Sequence, residues 1–85
     1  MTTTTFHITR RDEHGRVYVR TERVDPKGRI NRAWEPLTAE TLKVAQAYPS
    51  FKWANRRRFC LACELQDGTV EAVSASRATE LCAAR

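Results

Sequence analysis

Two cysteines stand three residues apart in Cys60-Leu61-Ala62-Cys63, and a third follows at Cys82. With His7 or His14 they would formally supply the four ligands of a structural zinc ion. Zinc ligands at this spacing sit on a tight knuckle where both sulfurs converge. Here the pair runs through an alternating pattern instead, with Phe59, Leu61, Cys63 and Leu65 set against Cys60, Ala62, Glu64 and Gln66. Residues i and i+3 of a strand point to opposite faces, and a second C-x-x-C is missing. A thioredoxin-type redox use needs a helix starting at the motif, which this pattern does not offer. The cysteines are expected to be small buried hydrophobes, with no metal and no cofactor.

Other chemistry fares no better. Asp67-Gly68 is the strongest short-range hairpin signal in the chain, a two-residue type I′ turn. The register it sets pairs Leu65 with Val70, Glu64 with Glu71, Cys63 with Ala72 and Ala62 with Val73. Paired carboxylates are what acid–base chemistry requires, but like charges directly opposite repel. Near a turn, water or an arginine neutralises them. His7 and His14 have no serine or aspartate geometry around them. The three glycines are isolated in turns, so there is no phosphate-cradling loop. No catalytic residue is assigned, and the chain is expected not to be an enzyme.

The richest constellation is Phe51-Lys52-Trp53-Ala54-Asn55-Arg56-Arg57-Arg58-Phe59. Arginine meets phosphate and aromatic rings stack on bases; Trp and Arg are equally the residues that dominate protein interfaces. Trp53, Arg56, Arg57 and Arg58 are the candidates from this segment. A second patch comes from the first strands: with Phe6, Ile8, Val17 and Val19 facing inward, Arg11, Tyr18 and Arg20 face outward together with Glu22. A positively charged antiparallel sheet bearing a tyrosine suits a DNA groove or an RNA surface.

The elements that position these groups follow from punctuation. Phe6 and Ile8 alternate with polar neighbours as a half-buried strand, and Asp12-Glu13-His14-Gly15 turns it. Val17 and Val19 mark a second strand, Asp25-Pro26-Lys27-Gly28 a second turn with glycine at its left-handed exit. Ile30 and Trp34 share one side of a third strand, with Arg32 between them on that side. Thr38 caps a helix stapled by Leu37 and Leu42, carrying Leu42, Ala45 and Tyr48 and stopping at Pro49. The hairpin around Asp67-Gly68 follows, and Ser74 or Ser76 caps a last helix with Ala78, Leu81 and Cys82 in one stripe. The fold class expected is α+β, order β-β-β-α-β-β-α, an antiparallel sheet with helices packed on one face. Residues 1–85 make a single small domain, with 1–4 a frayed start.

Composition bounds the rest. The chain has 85 residues, 15 basic against 10 acidic, with a net charge of +5 and 41% hydrophobic residues, eleven of them alanine. Twelve of the cations are arginine, whose planar forks suit phosphate, carboxylate and aromatic faces. A thin core leaves room for a partner or a homodimer to add stability. No apolar run reaches the roughly 20 residues of a membrane span, no signal-peptide layout opens the chain, and an odd cysteine count excludes a fully paired disulfide net. These point to the cytoplasm and away from a membrane.

Three strands and a helix over residues 6–48, with the turn Asp25-Pro26-Lys27-Gly28-Arg29, resemble the order in AP2-type and integrase arm-type DNA-binding domains. The resemblance covers half the chain and departs at Pro49. Size, charge and the lack of chemistry together suggest a small interaction protein that binds and modulates or inhibits a larger protein or nucleoprotein complex. Mobile elements encode such proteins, anti-CRISPR proteins among them. The alternative is direct DNA or RNA binding through the open sheet face and the Arg56–Arg58 run.

Overall fold

The computed structural model describes residues 4–65 and 69–83. In chain order the elements are β1 (Phe6–Arg11), β2 (Val17–Val24), β3 (Ile30–Pro36), α1 (Ala39–Lys43), α2 (Phe51–Leu65), β4 (Val70–Ser74) and α3 (Ala75–Ala83). The strands form one antiparallel sheet in the order β3-β2-β1-β4, so the α+β class stands.

The two hairpins of the first half close with the same device. In each turn an aspartate side chain accepts hydrogen bonds from the backbone N–H groups two and four residues on: Asp12 from His14 and Arg16, Asp25 from Lys27 and Arg29. Gly15 and Gly28 then take φ of 79° and 82°, a conformation that Cβ-bearing residues resist. These loops set the register. Arg10 lies opposite Tyr18, Arg20 opposite Trp34 and Glu22 opposite Arg32. Phe6, Ile8, Arg10, Tyr18, Arg20, Trp34 and Arg32 therefore share one face, and Thr9, Arg11, Val17, Val19 and Thr21 share the other.

The helices divide between these faces rather than gathering on one. Helix α2 lies over β1 and β4, where Leu61 joins Ile8 and Val70 in the core, with Trp34, Tyr48 and Ala62 packed around them. Helices α1 and α3 meet each other on the opposite side, where Val19, Leu37 and Ala78 are fully buried. The chain crosses between the faces through the sheet itself. Residues 44–48 lie in the wedge where β1 and β2 diverge, with Ala45 bridging to Thr21 and Tyr48 to Phe6. Glu22 N–H donates to the Val44 carbonyl, Gln46 N–H to that of Arg20, and Phe6 and Tyr48 exchange two hydrogen bonds of 2.9 Å. The buried His7 ties down the same strap, its Nδ1–H donating to the Gln46 carbonyl at 3.1 Å.

Three expectations are corrected. Thr38 does cap a helix, in a capping box with Thr41, but α1 ends at Lys43. The backbone of residues 44–48 instead satisfies the strand edges on either side. Second, residues 59–65 are helical, so the order is β-β-β-α-α-β-α. Ala54 and Leu61, two helical turns apart, are buried, while Phe59 is 62% exposed. Third, β4 pairs with β1, placing Glu71 opposite Thr9 and not Glu64. The Asp67-Gly68 turn lies outside the described residues. At the C-terminal side Ser74 caps α3, its Oγ accepting from Arg77 N–H at 3.1 Å.

Candidate binding surface

Helix α2 starts after Pro49, with the Ser50 carbonyl accepting from Ala54 N–H at 3.2 Å. Its fifteen residues contain no β-branched side chain, and arginine, alanine, leucine and glutamate are strong helix formers. The helix buries Ala54 and Leu61 and turns Trp53, Arg56, Phe59, Cys60 and Cys63 to solvent. Trp53 is 54% exposed. The Arg56 guanidinium stacks over its ring, 5.3 Å from the centroid, and Phe59 lies on Arg56's other side along the helix. Two large rings flanking a cation on one exposed helix face have the composition of an interface centre.

The other expected residues divide. Arg57 is half-buried and reaches toward β2, where its charge acts on Arg20 and on Tyr48. Arg58 is held against its own helix, Nε donating to Asn55 Oδ1 at 2.8 Å. Tyr18 and Arg20 sit on the part of the sheet that α2 leaves open, above β2 and β3. Tyr18 shares a shallow hollow with Arg10, Asp12 and Trp34. Arg11 does not belong with them. It pairs with Val17 on the opposite face, because a five-residue loop (12–16) joins residues of equal parity and cannot put Phe6 and Val17 on one side.

The sheet residues that sequence reasoning missed are Trp34 and Arg32, together with Tyr48 on the strap. Arg20 covers the Trp34 ring at 5.4 Å from the centroid. Arg32 approaches Glu22 at 3.5 Å. Burial, then the charges of Arg57 and Arg32, lower the pKa of Arg20, with Glu64 opposing. Burial pushes the Tyr48 phenol up, so it stays protonated at neutral pH. Trp34 and Tyr48 both pack on the Ile8–Leu61–Val70 cluster, Arg20 covers Trp34, and Arg57 stands on α2 between the buried Ala54 and Leu61, so these groups lie along the border between α2 and the open sheet. Loop parity, applied to Arg20 and Trp34, was the signal that could have found this set.

The cysteines also depart from expectation: Cys60 and Cys63 are exposed, and Cys82 is half-buried on α3. Being helical, the C-x-x-C pair shares one face instead of straddling two. Among the described residues no three His, Cys, Asp or Glu side chains are grouped to hold a metal ion, and no helix is long and apolar enough to cross a membrane. Comparison with protein-family models, curated protein sequences and solved structures finds no match to this chain.

Proposed function

We propose that this protein is a non-enzymatic binding module whose contact surface is the outward face of α2, and that its partner is a larger protein or nucleoprotein complex. The observation that carries this reading is the exposed Trp53–Arg56–Phe59 row. Trp53 and Phe59 leave more than half of their surface in solvent, while at an interface a buried aromatic or arginine is worth about 2 kcal/mol or more. A module of this kind acts by occupying a surface its partner needs, as the small modulators and inhibitors carried by mobile elements do.

The test is capture from a nuclease-treated extract of the native host, comparing the parent with Trp53→Ala/Phe59→Ala. The reading expects a defined complex with the parent, lost in a double variant that melts near the parent temperature. Equal capture by both would refute it. Direct DNA or RNA binding is the second reading, favoured by Arg20, Arg32 and Arg57 rather than by α2's outer face. It expects affinity for nucleic acid to fall by orders of magnitude between about 50 and 200 mM salt.

A further inference from the structure

We propose that Arg20, Arg32 and Arg57, together with the Tyr48 hydroxyl, form a binding site for a phosphate group. The proposal concerns a different surface from the α2 row, so the two can fail separately.

The geometry is one of convergence without neutralisation. Arg20 projects from β2, and Arg32 from β3 on the same face, diagonal to it because Arg20 pairs with Trp34 and Arg32 with Glu22; Arg57 comes from α2. The register and the strap that carries Tyr48 bring groups from four parts of the chain to one place. Among the described residues, Arg32 has an ion-pair partner, Glu22, at the long separation of 3.5 Å, and no carboxylate makes an ion pair with Arg20. Glu64 is the carboxylate whose charge acts on Arg20, and the charges of Arg57 and Arg32 act on Arg20 more strongly. Like charges held together are unfavourable unless an anion sits between them.

A second observation points the same way. Arg20 Nε and the Tyr48 hydroxyl are buried and have no hydrogen-bond partner among the described residues. Buried donors left unmet are rare and costly. A carboxylate offers two oxygens in a plane. A tetrahedral phosphate offers more, disposed to meet guanidinium forks from two strands and a helix while one oxygen points inward to the phenol. Arginine forks match this geometry where lysine would supply only a point charge. Trp34, beneath Arg20, places a fluorophore at the site.

Trp34 makes the test direct. Trp53→Phe leaves it the sole tryptophan. In that background, inorganic phosphate is titrated at constant ionic strength against chloride, and a short oligothymidylate is titrated in parallel. The proposal expects a saturable change in Trp34 emission with at least one probe and none with chloride. Arg57→Gln should weaken it by about tenfold or more, the loss of one charge-assisted hydrogen bond. Glu22→Gln, which frees Arg32, should tighten it several-fold. Saturation by phosphate alone identifies a small phosphorylated ligand, and saturation by the oligonucleotide alone a nucleic-acid strand; both support the site. No saturation with either probe in a protein that retains its parent melting temperature would overturn it, as would an equal response in Arg57→Gln.

Discussion

Substituting two neighbours, Phe59 and Leu61, tests the central structural correction, because a strand puts them on one face and a helix puts them on two. Leu61 is 2% exposed and packs on Ile8 and Val70. Truncation to alanine removes three carbons, about 2.4 kcal/mol of transfer free energy at roughly 0.8 per group. The cavity left behind brings the expected cost to about 2.5–4 kcal/mol. In a domain of this size each kcal/mol shifts Tm by about 4–8 °C, so Leu61→Ala should melt some 10–30 °C lower. Phe59 is 62% exposed, and Phe59→Ala should stay within about 0.5 kcal/mol of the parent. Thermal and urea unfolding followed by circular dichroism read both. A Phe59→Ala loss equal to that of Leu61→Ala would restore the strand and refute the placement of α2.

Other consequences are as direct. Hydrogen bonds from Arg23 and the buried Thr21 hold the Glu35 carboxyl at about 2, down from 4.5. A depressed folded pKa stabilises above the unfolded value and is lost as pH falls, so the stability gap between parent and Glu35→Gln should be full above pH 4.5 and shrink toward pH 2; a gap independent of pH over that window would contradict the network. Gly28→Ala should cost about 1–2 kcal/mol from backbone strain alone, since nothing lies within 4 Å of the added Cβ, and an unchanged Tm would contradict the left-handed assignment. A thiol reagent should label Cys60 and Cys63 rapidly in the folded protein and Cys82 more slowly; three equally protected thiols would count against the exposed face of α2.

Much of the first half was legible because its signals are local. An aspartate three residues before a glycine marks both hairpin turns, period-two alternation marks the strands, and Thr38 and Ser74 mark caps. What was missed is tertiary. The spacing of Leu42, Ala45 and Tyr48 fits a helix, yet the open edges of two diverging strands claim that backbone for hydrogen bonding. Phe59, Leu61, Cys63 and Leu65 alternate as a strand would, and the same stretch carries the seven-residue step from Ala54 to Leu61 that a helix buries. The absence of any Val, Ile or Thr between Phe51 and Leu65 was the evidence that favoured the helix. Of the expected site residues, Trp53 and Arg56 share one surface, and Arg20 and Arg57 share another. Arg11 was misplaced by assuming a face before fixing the parity of the loop.

The claim that α2's outer face is the contact surface is tested most directly by a photo-crosslinking residue placed at position 59, with position 77 on α3 as the control. Both sites are solvent-exposed, so each tolerates the probe without disturbing the core. In the native host, light should join position 59, and not position 77, to a discrete protein partner, and Trp53→Ala should abolish the product. Crosslinks of equal yield from both positions, or none from position 59 while the protein remains folded, would contradict the account.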